Sequence, residues 1–396
     1  MPVALIYRDQ LLPYSETFIP AQAGALTRYV PQYVGSSRIG NLTHLSPAPI
    51  ILGELVWPNS FWKLTYKLTG QVPGRWLWTL SQGQPHLLHA HFGGDGGFAA
   101  PLARRLKIPL VVTCHGYDAT WATPPLRGRD LVYRRGDFFR ALLLHKRDAA
   151  FQRADQILAV SGFIRDQLMA RRCPASKIRV HYIGVDLERF RPDQAITREP
   201  IVLFIGRLVE KKGCAYLIQA MARVQQTHPE ASLVVIGEGP LRLQLEALAA
   251  QTLKRYQFLG QQAPDQVRHW LNRAMLIGGP SIVADSGDTE GLGMVFAEAQ
   301  AMQVPVVGFA TGGIPEVVHH GETGLLVPER DVNALGQAIL DLWEHPEQRQ
   351  RFAMAGRRHI EQNFDLHRNT QALEEIYDEV IQAYEGKVRT EESTGE

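Results

Sequence analysis

Short runs of apolar, often β-branched residues alternate along the chain with longer stretches whose apolar residues recur at helical spacing. Strands of a parallel sheet are buried on both faces, so this alternation is typical of parallel sheets covered by helices. The runs that begin at Ile201 and Leu233 each end in glycine at the turn into a predicted helix, where doubly wound sheets bind ligands. The sequence therefore predicts an α/β fold. The predicted strands lie at residues 3–7, 87–91, 110–114, 156–160 and 178–182, and further strands begin at Ile201, Leu233, Phe258, Met275, Pro305 and Gly324.

This pattern occurs twice, which indicates two domains. A chain of 396 residues is longer than one ordinary hydrophobic core supports. Residues 184–200 are polar and contain proline, and a second complete α/β pattern follows them, so we place the linker there. We predict an N-terminal domain over residues 1–190, a C-terminal domain over residues 191–371 and a disordered polar tail over residues 388–396.

Composition narrows the class of protein. No apolar run approaches the ~18 residues that a membrane-spanning helix needs, and the N-terminus lacks the basic start and apolar stretch of a signal peptide. The three cysteines, Cys114, Cys173 and Cys214, are widely spaced and odd in number, which fits reduced thiols better than disulfides. Lysine and arginine number 42 against 40 acids, so net charge gives no argument for nucleic-acid binding. We expect a globular cytoplasmic protein.

Two glutamates flank an apolar stretch in TEGLGMVFAEA, which begins at Thr289. Glu290 precedes a predicted helix that starts near Gly291, and Glu298 lies inside this helix. The free N–H groups and the dipole of a helix N-terminus favour phosphate, and Glu298 could reach back to a diol such as a ribose. Acids at this spacing also arise by chance or as decoration of a helix N-terminus, and both interpretations stay open.

A basic turn, GRLVEKKG, follows the strand that begins at Ile201. It places Arg207 directly after the strand and Lys212 just before the next helix, which are the positions of a diphosphate clamp. A solvated basic turn is the alternative. The nearby GEGPLR lacks the third glycine of a dinucleotide fingerprint, but its Gly237 and Gly239 suit a close approach to a ligand.

Histidines stand at predicted strand ends in the first half. The stretch TCHGYD lies at the end of the strand that begins at Leu110, which directs His115 toward the expected cleft between the domains. His89 and His91 share one face of another predicted strand. One interpretation is that they form a zinc site together with His86. No cysteine or carboxylate accompanies them at ligand spacing, so hydrogen-bonded strand ends are the preferred interpretation, and a sugar contact is the third.

With these pieces in this order, nearly the whole chain resembles family 4 of the glycosyltransferases, the retaining enzymes of GT-B fold. Many members of that family have a diglycine loop after the first strand, whereas this chain has LLPYSETF, similar to a subgroup common in exopolysaccharide and colanic-acid-type pathways. The matching stretches are SETF at Ser15, HAHFG at His89, TCHGYD at Thr113, AVSGFIRD at Ala159, IGVDLERF at Ile183, GRLVEKKG at Gly206, GEGPLR at Gly237, EGLGMVFAEA at Glu290, and TGGIPEVV with GETGLLV from Thr311.

The resemblance implies an architecture and a reaction. It implies two facing Rossmann-like, doubly wound domains with a deep interdomain cleft, and a last helix, about residues 372–387, that returns to the first domain. The C-terminal domain would hold a UDP- or GDP-sugar, and the N-terminal domain would hold a saccharide, lipid-linked or small-molecule acceptor. The sugar would be transferred with retention of anomeric configuration.

The resemblance also implies a role for particular residues. Arg207 and Lys212 would hold the diphosphate, Glu290 the donor-sugar hydroxyls and Glu298 the ribose, while His115 would contact the sugar near the reacting centre. The other donor-side positions are Gly291, Leu292 and Gly293 at the phosphate, Leu259 and Gly260 beside the base, and the turn of Gly237 and Gly239. The acceptor-side positions are Ser15, Glu16, His91 and Asp118.

No divalent metal or other cofactor is expected besides the nucleotide-sugar co-substrate. Metal-dependent transferases commonly hold the cation with two aspartates separated by one residue, and no such triplet occurs; Asp285 and Asp288 are the nearest approach. The negative charge of the leaving group would then be stabilised by Arg207, Lys212 and the helix near Gly291. An epimerase or phosphorylase on the same plan, and an inactive nucleotide-sugar-binding subunit, are the alternative functions.

The segment from Trp57 to Trp78 contains four tryptophans together with Lys63, Lys67 and Arg75. Aromatic residues with cations suit a bilayer interface, which predicts peripheral contact with the inner face of the membrane. The alternative is an insertion whose aromatic residues pack into the domain core.

Overall fold

The computed structural model describes residues 1–13, 16–39, 42, 45–121 and 135–394. The chain divides into two compact units, Met1–Gly184 with Leu366–Glu396, and Val185–Asp365. The chain passes from the first unit to the second, and later back to the first, a few residues before the predicted domain boundaries at 190 and 371. The reason is local, because the Val185 N–H donates to the Phe364 carbonyl at 2.7 Å and Val185 forms a parallel bridge with Asp365, which fixes both ends of the C-terminal unit side by side.

The N-terminal unit is built on a seven-stranded parallel sheet. Its strand order is β5-β3-β1-β6-β7-β8-β9, and β2 and β4 form a separate parallel pair. The chain reverses its direction of travel across the sheet between β1 and β6, and this switch point is where doubly wound sheets bind ligands. The strands are β1 (Val3–Tyr7), β2 (Gln10–Leu11), β3 (Val30–Gly35), β4 (Ser37–Arg38), β5 (Ile50–Ile51), β6 (Pro85–His91), β7 (Leu110–Cys114), β8 (Gln156–Ala159) and β9 (Ile178–Val180).

Helices connect these strands, as the alternating pattern predicts. None of the helices in the described part of the chain is both long enough and apolar enough to cross a bilayer. The helices of this first stretch are α1 (Phe18–Gly24), α2 (Leu52–Leu55), α3 (Asn59–Thr69), α4 (Gly74–Ser81), α5 (Gly93–Leu106), α6 (Tyr117–Thr120), α7 (Arg135–Arg153) and α8 (Gly162–Ala170).

The C-terminal unit contains a six-stranded parallel sheet in the order β12-β11-β10-β13-β14-β15. This is the strand order of a Rossmann fold, with its switch point between β10 and β13. The strands are β10 (Glu199–Ile205), β11 (Ser232–Ile236), β12 (Tyr256–Gly260), β13 (Ala274–Gly279), β14 (Val306–Phe309) and β15 (Gly324–Val327). The helices are α9 (Cys214–Thr227), α10 (Arg242–Thr252), α11 (Pro264–Arg273), α12 (Met294–Ala301), α13 (Ile314–Val317), α14 (Val332–Glu344) and α15 (Pro346–Asn363).

These elements confirm the predicted α/β class and every predicted strand. Two details differ. The strand Val30–Gly35 was missed because its sequence, VPQYVG, contains a proline and a glutamine among its apolar residues. The helix expected near Gly291 begins at Met294 instead, with Gly293 as its N-cap in the left-handed conformation at φ 91°.

The last helix, α16 (Leu366–Thr394), belongs to the N-terminal unit. Its Ile376 and Tyr377 lie in the same buried cluster as the strands β1 and β6, and the Glu374 carboxylate accepts the Arg28 backbone N–H at 2.6 Å. The helix continues to Thr394, although we predicted disorder from residue 388. Polar residues in this last part support one another along the helix, as in the pair of Arg389 with Glu385 at 3.9 Å.

Close packing of α5 on α7 depends on glycine. The first turns of α5 read GGDGG, and a Cβ atom on Gly97 would lie 2.1 Å from the backbone carbonyl oxygen of Lys146 in α7. Because backbone atoms cannot move aside as a flexible side chain can, any larger residue at this position must push the two helices apart.

We therefore expect Gly97→Ala to lower the free energy of unfolding by about 1–3 kcal/mol, the usual cost of overpacking. Gly386→Ala is the matched control, because Gly386 is also helical but has no atom within 4 Å of the added methyl group, and alanine favours helices by ~1 kcal/mol. Thermal unfolding followed by circular dichroism compares the two. Equal stability of the two variants would show that α5 and α7 are not in close contact.

Candidate functional site

The switch point of the C-terminal unit brings two turns together. The chain leaves β10 through Gly206 and Arg207, makes a single 3-10 turn over Glu210–Lys212, and enters α9 at Gly213 with φ 63°. A Cβ atom on Gly213 would lie 1.8 Å from the carbonyl oxygen of Pro280, which follows β13. The backbones of the two turns are therefore in direct contact, and the side chains they carry share one site.

An ion pair forms where these turns meet. The Lys212 ammonium lies 2.9 Å from Oε1 of Glu290, and Glu290 is only 7% exposed. Burial alone would raise the pKa of Glu290, but the positive charges of Lys212, Lys211 and Arg207 outweigh it and lower this pKa to about 2. Glu290 is therefore a carboxylate at neutral pH. Arg207, Lys212 and Glu290 thus lie in one cluster, and their roles toward a donor stay predictions.

Three cations surround this carboxylate, and they differ in how they are paired. Lys211, which the sequence analysis did not select, is buried and donates to Asp288 Oδ1 at 3.0 Å. Lys212 is paired with Glu290. Arg207 is exposed, and its guanidinium has no hydrogen bond or ion pair to any residue within the described ranges. Its five N–H donors are available to a ligand.

The loop after Glu290 leads into the N-terminus of α12. Gly291, Leu292 and Gly293 are buried, and the Gly313 N–H donates to the Glu290 carbonyl at 3.0 Å. This contact explains the Thr-Gly-Gly stretch at residues 311–313, whose backbone packs beneath the loop. The N-terminus of α12, which is the positive end of the helix dipole, thus follows Glu290 closely in the chain.

Glu298 lies in the second turn of α12 and is partly buried. Burial raises its pKa to about 7, and Arg189 and Lys212 offset this only in part. Its side chain makes no hydrogen bond or ion pair with the part of the chain that the structure describes. A half-buried acid without a partner has capacity for a ligand.

The glycine-rich turn after β11 has a structural reason for its glycines. A Cβ atom on Gly237 would lie 1.9 Å from the Gly206 carbonyl oxygen, and one on Gly239 would lie 2.4 Å from that of Leu208. These glycines therefore let the turn pack against the backbone that carries Arg207. Beside it, Gly260 has φ 68° and the Leu259 carbonyl accepts from Gln262 Nε2 at 2.7 Å. Contact of these four positions with a donor stays a prediction.

A separate cavity of about 380 Å³ lies against the first turn of α9. Tyr216, Asp285 and Arg330 are among its lining residues, whereas Arg207, Lys212, Glu290 and Glu298 are not. The cavity is therefore distinct from the cluster of charged residues.

The switch point of the N-terminal unit is occupied by a buried arginine that the sequence analysis missed. Both carboxylate oxygens of Glu16 accept from Arg8 at 2.7 Å, and Asp95 Oδ2 accepts from Arg8 Nη1 at 2.6 Å. Burial raises the pKa of Asp95 to about 6, although the Arg8 charge opposes the shift. Glu16, predicted on the acceptor side, is thus already paired, and Ser15 lies outside the described residues. An arginine directly after β1 was the available signal.

The histidines form a stacked row at the ends of β6 and β7. His89 hydrogen-bonds through both ring nitrogens, to the Tyr377 hydroxyl and to Thr113 Oγ1, each at 2.6 Å, which supports the hydrogen-bonded interpretation. His91 Nδ1 lies 3.1 Å from His115 Nε2. Burial lowers the pKa of His89, His91 and His115 well below the usual value, so all three rings are neutral at pH 7.

The buried Asp118 carboxylate connects the turns that follow β6 and β7. Its carboxylate accepts backbone N–H groups from Gly93 at 2.8 Å, His115 at 3.0 Å and Gly116 at 2.8 Å, and the residue is 1% exposed. It joins the turn after β6 to the turn after β7. We predicted Asp118 as an acceptor-side residue. In the structure its carboxylate instead accepts backbone hydrogen bonds that fix the turn at His115.

Comparisons with known proteins show the family of this chain. Residues 186–359 match the family model described as glycosyl transferases group 1, and residues 43–189 match that of glycosyltransferase family 4. The amylovoran biosynthesis glycosyltransferase AmsK of Erwinia amylovora is 30% identical over 295 residues, which cover 72% of this chain and 68% of AmsK. The chain belongs to glycosyltransferase family 4.

Two further similarities extend over more of this glycosyltransferase. The GDP-mannose-dependent α-(1-6)-phosphatidylinositol monomannoside mannosyltransferase of Mycobacterium tuberculosis is 28% identical over 82% of both chains. The crystal structure of Anabaena HepE in complex with UDP and glucose superposes with a TM-score of 0.74 at 18% identity, over 96% of this chain and all of HepE. The second similarity concerns the fold alone, which is GT-B.

The Asp118 contacts generate a prediction for this glycosyltransferase. We expect Asp118→Asn to lower kcat on the order of tenfold or more, because the amide offers its backbone donors only one acceptor oxygen and shifts the His115 backbone. Asp155→Asn is the control, since Asp155 accepts the Leu110 N–H at 2.9 Å at the other end of the same strand. Initial rates and thermal midpoints are measured for both variants. If both lose stability equally and neither loses kcat, Asp118 does not position the His115 turn for catalysis.

Proposed function

We propose that the protein transfers a hexose from a UDP- or GDP-sugar to a saccharide or lipid-linked acceptor, with retention of anomeric configuration and without a divalent metal. The observation that carries the proposal is the Lys212–Glu290 pair at 2.9 Å, with the unpaired Arg207 beside it. This group combines an ionised carboxylate, which can accept hydrogen bonds from sugar hydroxyls, with a cation free to bind phosphate.

The charges suit the departure of a nucleoside diphosphate. As the glycosidic bond to the donor breaks, negative charge grows on the leaving phosphate, and fixed cations stabilise it without reorganisation. One cation at ~4 Å and an effective dielectric of about 20 interacts with a phosphate charge by roughly 4 kcal/mol before desolvation. Arg207 and Lys212 would supply this interaction, and the amides of Gly291 to Gly293 at the N-terminus of α12 would add to it.

The identity of the donor and acceptor rests on similar proteins. The mannosyltransferase relative uses GDP-mannose and acts on a phosphatidylinositol mannoside, HepE is seen with UDP and glucose, and AmsK acts in amylovoran biosynthesis. Together they support a role in the synthesis of a polysaccharide or glycolipid. The nucleobase of the donor, guanine or uracil, is then the point to distinguish. Thermal shifts with GDP-mannose and UDP-glucose separate them, since a ligand at 100 times its dissociation constant adds about 2.7 kcal/mol of stability.

We also propose that this reaction takes place in the cytoplasm. The three cysteines are free thiols and all are buried. Burial raises the pKa of Cys214 to about 12, so this thiol is neutral and unreactive. Free thiols are in keeping with a reducing compartment.

Removal of either donor-site cation tests the proposal. We expect Arg207→Ala and Lys212→Ala each to lower kcat on the order of 100-fold, the scale of losing one transition-state donor. Arg223→Ala is the control, because Arg223 lies on α9 of the same unit and makes only a weak contact to Asn333 at 3.5 Å. The assay follows release of UDP or GDP and, by NMR, the anomeric configuration of the product.

The same assay tests the other two parts of the proposal. Full activity in excess EDTA and a product with the configuration of the donor are expected. Activity lost on chelation and restored by Mg²⁺ or Mn²⁺ would contradict metal independence, and an inverted product would contradict retention. Nucleotide release that is indifferent to Arg207→Ala and Lys212→Ala would contradict the assigned site.

The raised pKa of Glu298 gives a second prediction. If its carboxylate accepts the ribose hydroxyls, protonation removes acceptor capacity, so the donor KM should rise as pH falls through about 7 while remaining flat above that range. Glu298→Gln should have a raised KM and lose this dependence between pH 8 and 6, about one unit either side of that pKa. Unchanged pH profiles in wild type and variant would place the ribose elsewhere.

A further inference from the structure

Helix α3 carries a row of apolar side chains on its outer face. Phe61, Leu64 and Leu68 are 59%, 50% and 43% exposed, and their spacing of three and four residues places them on one side of the helix. Trp57 lies two residues before the start of α3 and is 88% exposed. The opposite side of α3 contributes the buried Tyr66 to the interior. The exposed row is therefore not required by the fold.

The tryptophans of this segment divide between the interior and the surface. Trp76 is fully buried and meets Tyr66 edge-on at 5.2 Å between ring centroids. Trp78, two residues later on α4, is 64% exposed. The core-packing interpretation therefore holds for Tyr66 and Trp76, whereas Trp62 is partly buried and Trp57 and Trp78 are exposed. We define the apolar surface as the exposed row Phe61, Leu64 and Leu68 of α3 together with Trp57, which precedes the helix.

The charges that accompany this apolar surface are almost all of one sign. Between residues 55 and 107 the only acid is Asp95, which is buried against Arg8. The cations of the same stretch are Lys63, Lys67, Arg75, Arg104, Arg105 and Lys107. Of these, Lys67 is paired with Asp9 at 2.6 Å. A Cβ atom on Gly70, at the end of α3, would lie 2.8 Å from Pro101 of α5, so the apolar row ends next to the helix whose last turn carries Arg104 and Arg105.

We propose that the apolar surface binds the interface of an anionic lipid bilayer. Exposed tryptophan and aliphatic side chains enter the boundary between headgroups and acyl chains, and the cations bind acidic headgroups. A second copy of the chain fits less well, because two such surfaces in contact would bring positive charges together. The inference does not depend on the proposed sugar transfer, since binding to lipid requires no donor.

Sedimentation with vesicles tests the proposal. At low salt we expect the full chain to bind vesicles of phosphatidylcholine and phosphatidylglycerol, and to bind phosphatidylcholine alone much less. Phe61→Ser with Leu64→Ser should weaken binding by roughly tenfold or more, since two apolar side chains no longer enter the bilayer. Leu243→Ser with Met354→Ser is the matched control, because these residues of the C-terminal unit are 81% and 46% exposed.

A second double variant keeps the test decisive if the first one fails to fold. Arg104→Glu with Arg105→Glu changes only exposed side chains and should abolish the preference for phosphatidylglycerol. Absence of binding to anionic vesicles at low salt, or equal weakening by the control pair, would overturn the proposal. A concentration-dependent dimer in sedimentation velocity that the Phe61 and Leu64 substitutions dissociate would also overturn it, in favour of contact between copies.

Discussion

The C-terminal unit is organised around one buried carboxylate. Glu290 is 7% exposed, and an ionised group at such a position is stable only when cations and hydrogen-bond donors surround it. Lys212 meets it directly, while Lys211 and Arg207 contribute from further away. The backbone contact between Gly213 and Pro280 brings the two loops close enough for this pairing. The ion pair and the loop packing therefore depend on each other, and the N-terminus of α12 follows from where Glu290 is held.

The two units use their switch points differently. In the N-terminal unit, Arg8 lies at the switch point with its guanidinium fully engaged by Glu16 and Asp95. In the C-terminal unit, Arg207 occupies the corresponding position after the first strand, and its guanidinium has no partner within the described ranges. A paired arginine rigidifies the loops around it, whereas an unpaired one retains its capacity for an anion. This difference is a physical reason to assign phosphate binding to the C-terminal unit.

The sequence correctly predicted those strands and turns that a single local signal determines. Strands such as Leu110–Cys114 are mostly apolar, and Arg207 and Lys212 follow a strand whose position was clear. The sequence did not predict features that depend on tertiary contacts, such as which side chains are buried and which are paired. Nothing local in TCHGYD shows that Asp118 is buried beneath three backbone donors, nor that Glu16 is paired with Arg8. The start of α12 was misplaced because Gly291 and Gly293 permit either a helix or the turn that the packing of residues 311–313 selects.

We propose that the Lys212–Glu290 pair and Arg207 form the donor-diphosphate site. The most direct measurement is a crystal structure of the full chain soaked with a nucleoside diphosphate. We expect a terminal phosphate within hydrogen-bond distance of both Arg207 and Lys212, with the backbone amides of residues 291–293 facing its oxygens and Glu298 facing the ribose. A diphosphate bound instead in the cavity lined by Tyr216 and Arg330, with Arg207 still exposed to solvent, would contradict it.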